Sequence, residues 1–195
     1  MKIKMCLLFL ISFVLSGCDY YVWHNENYTY EDGRRAYTYG NTIPASKSFS
    51  VAGAEFNLVL RAENHTKDRK GILYKTTATG PYKLIFLSSG IEGNHEYAQI
   101  DSIKLSSSIG KTHSLTEEIK LPIRIRYERE GEGQNVWRAK YYFESPIDLD
   151  FLKNEELTIN ITVTIKTRSL TGTKNFSIKY LPYLDSGSKI VGPTT

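Results

Sequence analysis

From about Lys47 onward, apolar and polar positions alternate with a period of two, the pattern of strands that cover one face and expose the other. Phe56, Leu58 and Leu60 alternate with Asn57, Val59 and Arg61. Tyr82, Leu84 and Phe86 alternate with Lys83, Ile85 and Leu87, a run apolar on both faces that predicts a central strand. Ala98 and Ile100, then Ile103 and Leu105, predict another strand with an irregularity near Ser102. Later runs are cleaner: Ile119 to Tyr127, Trp137 to Phe143, Leu157 to Ile165, and Phe176 to Tyr180. No segment holds helical spacing for more than two turns, and residues 150 to 156 alone fit a short helical turn.

Turn signals fall between the runs at Thr79-Gly80-Pro81, Ser89-Gly90, Gly131-Glu132-Gly133 and Thr171-Gly172. Eight or nine short strands at this spacing predict an all-β chain, and the one-sided alternation favours an antiparallel, immunoglobulin-like two-sheet sandwich over a barrel. The sandwich is expected over residues 47–184, with a flexible tail over 185–195.

The first 18 residues have a different character. Lys2 and Lys4 are followed by an apolar stretch, Met5 to Leu15, broken only by Ser12, and then by Leu15-Ser16-Gly17-Cys18. That stretch falls short of the roughly 20 residues a bilayer span requires, so a cleaved signal segment fits it. Leu15-Ser16-Gly17-Cys18 resembles the lipobox of bacterial lipoproteins. The resemblance covers about a tenth of the chain and implies a signal peptide over residues 1–17, cleavage before Cys18, and acyl lipid such as palmitate on Cys18. It further implies anchoring to a membrane of the bacterial cell envelope, periplasmic or outer-surface. Asp19 resembles the inner-membrane retention signal of enterobacterial lipoproteins, a rule that differs between bacterial groups. Cysteine arithmetic agrees: Cys6 leaves with the signal, so Cys18 has no partner for a disulfide.

Residues 18–46 are expected to form a Tyr-rich tether or a hairpin. Asp32-Gly33 separates two Tyr-Thr-Tyr triplets, and Asp-Gly suits a type I′ turn. A two-residue turn would place Tyr28, Tyr30, Tyr37 and Tyr39 on one face, to stack on sugar rings or to dock on the main sheet. The second candidate surface is a hairpin over residues 119 to 144. Matching its apolar faces puts Arg126 opposite Arg138 and Arg124 opposite Lys140, a cluster that calls for an anion or for neutralisation by Glu128, Glu130 or a neighbouring strand. Pro122 cannot donate to a ladder, so that strand is expected at a sheet edge.

Charge narrows the partners. Removing Lys2 and Lys4 leaves 23 basic against 21 acidic residues, close to +2, without the basic excess of a nucleic-acid binder. His24, His65, His95 and His113 lack metal-ligand spacing, and no nucleophile motif is present. Asp148, Asp150, Glu155 and Glu156 offer hard oxygens without the glycine of an EF-hand. The expectation is therefore a non-enzymatic envelope module, without cofactor or metal, binding another envelope protein or, alternatively, a cell-wall glycan through its tyrosines. An enzyme would require Asp148, Asp150 and Glu156 to meet a histidine in one pocket.

Overall fold

The computed structural model describes residues 19–31, 49–110, 119–130 and 137–191. The expected signal peptide, Cys18, Tyr37 and Tyr39 lie outside them. Ten strands follow in order: β1 (Asp19–Tyr30), β2 (Ser50–Val51), β3 (Ala54–Lys70), β4 (Leu73–Gly90), β5 (His95–Ser107), β6 (Ile123–Arg126), β7 (Glu128–Arg129), β8 (Trp137–Tyr142), β9 (Leu157–Thr167) and β10 (Thr171–Val191). The architecture is all-β and consistent with a sandwich. Its sheet is mixed, not purely antiparallel, because β1 runs parallel to β4 while pairing antiparallel with β10.

The ladder order is β2-β3-β4-β1-β10-β9-β5-β6, with β8 on the second half of β4 and β7 on β8. Two wings close on one core. Phe56, Leu58, Leu84, Phe86 and Phe143 come from the β3–β4–β8 side, and Ile100, Ile159, Ile161, Val163, Ile178 and Tyr180 from the β5–β9–β10 side. Phe56 meets Phe176 across the core at 4.7 Å between ring centroids. Tyr30 and Tyr180 both donate their hydroxyls to the Leu58 carbonyl, at 2.8 and 2.9 Å, so the rings stay buried without an orphaned polar group. The predicted alternation holds where a face is covered: Leu157, Ile159, Ile161, Val163 and Ile165 are all buried. The predicted irregularity is a register shift between Ile100 and Ser102.

β4 passes between the two parts of the sheet at Gly80-Pro81. This pair is not a turn, contrary to the sequence expectation. Ala62 pairs with Tyr82 and Asn64 with Thr79, so Gly80 and Pro81 together oppose Glu63 as a bulge in β4. A bulge is where a strand can hold a proline that donates no hydrogen bond. The Tyr82 ring fills the space beside Gly80, where a Cβ would fall 2.8 Å from the ring edge.

Beyond that bulge the chain builds a four-stranded arm. Residues 64–70 of β3, 73–78 of β4, 20–25 of β1 and 185–191 of β10 lie side by side in that order. Gly71-Ile72 closes the β3–β4 hairpin, with Gly71 at φ +62°, the Gly-X pattern of a type II′ turn. The expected loose tail is thus a paired strand as far as Val191. Residues 19 to 30 are neither tether nor self-contained hairpin: all twelve pair with β10. The expected helical turn is a 3₁₀ turn, Phe151–Lys153, capped by Asp150. Among the described residues, no helix is long and apolar enough to cross a membrane.

Candidate functional site

Alternation along the arm sends odd-numbered β1 side chains to one face, and the register aligns them in rows across all four strands. The first row is Arg69, Tyr74, Tyr21 and Lys189; the second is Lys67, Thr76, Trp23 and Gly187; the third is His65, Ala78, Asn25 and Asp185. All of these except Ala78 and Gly187 line a groove of about 590 Å³.

In the first row, Tyr21 and Tyr74 stack with centroids 4.7 Å apart and planes 4° from parallel. The Arg69 guanidinium lies 4.4 Å from the Tyr74 centroid and the Lys189 ammonium 5.9 Å from that of Tyr21. The tyrosine faces are therefore taken by each other and by cations. The second row is more open. Trp23 lies against Gly187, where a Cβ would sit 2.5 Å from Trp23 Cζ2, and its Nε1 donates to Asp185 Oδ1 at 3.1 Å. Trp23 is thereby fixed in orientation, with Asn25, His65, Lys67 and Asp185 around it as hydrogen-bonding groups. Periodicity does not mark this face, because both sides of the arm meet solvent and neither is apolar throughout. A Lys-Gly-Ile-Leu turn flanked by Tyr and Thr residues was the available signal.

Of the two roles expected for the tyrosines, stacking on a sugar or docking on the main sheet, Tyr28 and Tyr30 take the second. Tyr28 and Tyr30 are 1% and 5% exposed, and pair with Pro182 and Tyr180 of β10. The Tyr28 hydroxyl donates to the Glu155 carbonyl. Burial raises the pKa of Tyr28, with Tyr82 and the carboxylates of Glu155, Asp150 and Glu26 adding to the rise. Neither ring is available to a sugar.

The expected basic hairpin is also different. β6 joins β5, pairing Arg124 with Gln99 and Arg126 with Tyr97, whereas β7 pairs with β8 and sets Glu128 opposite Arg138. The chain changes pairing partner at Tyr127, from β5 to β8, a break that a continuous alternation does not reveal. The four cations Arg124, Arg126, Arg138 and Lys140 nonetheless share a cleft of about 540 Å³. Glu130 bridges Arg138 and Lys140 with its two carboxylate oxygens, and Arg124 lies over the Tyr97 ring at 4.3 Å. Of the neutralising groups anticipated (Glu128, Glu130 or a neighbouring strand), Glu130 is one that serves Arg138 and Lys140. β6 ends the ladder order, the edge position expected from Pro122.

The acidic loop is occupied with holding itself together. Glu155 is fully buried and accepts from the Asp150 N–H at 2.6 Å; Glu156 pairs with Lys179 at 2.8 Å. Asp148 and Asp150 line a cleft that includes no histidine. Among the described residues, no group of His, Cys, Asp and Glu is arranged to hold a metal ion. Compared with protein-family models, with curated proteins and with solved structures, the chain has no match in any of the three.

Proposed function

We propose that this chain is a bacterial envelope lipoprotein, cut before Cys18 and anchored by acyl lipid on that sulfur. In this reading it acts as a non-enzymatic binding or structural module. The observation that carries it is the position of Asp19, one peptide bond after Cys18, at the tip of the arm and paired there with Val191. A lipid at Cys18 then emerges at one pole, with the core at the other. Residues 19 to 25 at about 3.3 Å each make the arm a stalk of roughly 20 Å. Further support comes from Leu15-Ser16-Gly17-Cys18 and from the lack of any other cysteine after the cleavage point.

The body is read as an immunoglobulin-like sandwich, supported by its one-sided strands and antiparallel hairpins, and the arm groove as the face offered to an envelope partner. The test is mass spectrometry of the amino-terminal peptide of the protein extracted from membranes: it should begin at Cys18 and carry acyl lipid on that sulfur. A chain with Cys18 unmodified would overturn the anchor.

A second reading, a cell-wall glycan as ligand, is favoured by one observation: Trp23 is held flat and ringed by hydrogen-bonding groups, as a sugar platform requires. Wild type should be retained on isolated peptidoglycan and Trp23→Ala should not. Equal retention of the two removes the glycan.

A further inference from the structure

The tip of the arm carries an apolar cluster that the groove does not use. Leu73, Tyr20 and Ile190 are direct ladder partners across three strands, and Ile72 stands beside them in the turn. They are 38%, 39%, 59% and 53% exposed. Other exposed apolar residues, such as Leu152, do not form such a row, and scattered ones need no explanation. One residue farther from the tip, on the opposite face of the arm, come the stacked Tyr21 and Tyr74, flanked by Arg69 and Lys189.

We propose that this tip is a membrane seat: Ile72, Leu73, Tyr20 and Ile190 enter the outer part of an anionic bilayer, and the Tyr21–Tyr74 row sits among the headgroups. The proposal rests on the reading that Cys18 carries lipid, and it adds a second, protein-made contact to that anchor.

Three observations favour a lipid surface over a protein partner. The cluster lies at the chain position adjoining Cys18, so a lipid there brings bilayer to it without any search. The order from the tip upward, aliphatic then tyrosine with cations, matches the depth order of a bilayer interface. The arm also bears Lys67, Arg69, Lys70, Lys75 and Lys189 against Asp19, Asp68 and Asp185, an excess that suits anionic headgroups. Of these, Asp19 faces Arg69 at 3.6 Å and Asp68 faces Lys70 at 4.0 Å.

The experiment uses the full lipidated chain in vesicles of phosphatidylethanolamine and phosphatidylglycerol. An environment-sensitive fluorophore is placed on Ile72→Cys or, as control on the body, on Leu170→Cys; the acylated Cys18 does not react. Lipids brominated in their acyl chains should quench the probe at position 72 at least twofold and leave position 170 unchanged. Equal quenching at both positions overturns the seat. Because a fluorophore could itself partition, a second probe on Ser188→Cys is compared with and without Ile72→Asp and Ile190→Asp. Loss of its quenching in the aspartate variant supports the seat, and no change overturns it. Mass spectrometry separates the two readings: a bare Cys18 sinks the anchor, whereas a lipidated chain with an unquenched tip sinks the seat alone.

Discussion

Tyr28, Tyr82 and Tyr180 each set a hydroxyl onto a backbone carbonyl inside the protein, and Tyr127 shares a 2.7 Å hydrogen bond with Ser88. Burial raises all four pKa values, that of Tyr127 from 10.0 to about 12, with the Ser88 bond opposing the rise. The unfolded chain therefore loses these protons at lower pH than the folded one. Their contribution is fully present below pH 10 and falls as pH climbs toward 12. At one pKa unit to about 1.4 kcal/mol, Tyr127 alone accounts for roughly 2 kcal/mol by pH 12. Urea midpoints should be flat from neutral pH to about 10 and drop steeply above it, and Tyr127→Phe should blunt the drop. At the other pole, Gly187→Ala drives a methyl into Trp23. It should cost about 1–3 kcal/mol and shift the Trp23 emission, while adding Trp23→Leu should recover most of the loss. Intact emission in Gly187→Ala would mean the indole does not rest there.

At the scale of strands, what could be read from the chain depended on having a dry side. β9 and the core half of β4 are legible because the alternating buried positions Leu157, Ile159, Ile161, Val163 and Ile165, and Tyr82, Leu84 and Phe86, are all large and apolar. The arm was not: β3 beyond Ala62 exposes Glu63 and every residue from Asn64 to Lys70, so no period survives for a pattern argument to find. The C-terminal stretch read as loose for the same reason, since Asp185, Ser186, Gly187 and Ser188 gain order from β1, about 160 residues distant. The cationic cleft shows the opposite failure. Arg124, Arg126, Arg138 and Lys140 do gather, but the alternation runs unbroken through Tyr127 and hides the change of strand partner. For Tyr28 and Tyr30 the sequence leaves sugar stacking and docking both open, because a run of aromatics reads alike whether it faces solvent or core; the structure docks both. Strands bound by hydrogen bonds with little apolar cover open locally at low cost. Amides of residues 64–78 should exchange with deuterium at least a hundredfold faster than those of β9. Equal protection would show that the arm is as firmly held as the core.

For the molecule as a whole, the first and last described strands run side by side, and β1 is clasped on both edges, by β10 along its whole length and by β4 over six residues. The opening strand is therefore not a leash that can be peeled off one pair at a time. Tension applied at Asp19 along the strand axis loads every rung of both ladders together, the geometry of a lap joint rather than a zipper. Single-molecule extension from that end should give one high-force rupture, and extension across the β3–β4 turn a series of low ones. Pulled from Asp19, the fold would then hold its shape until the whole joint gives way.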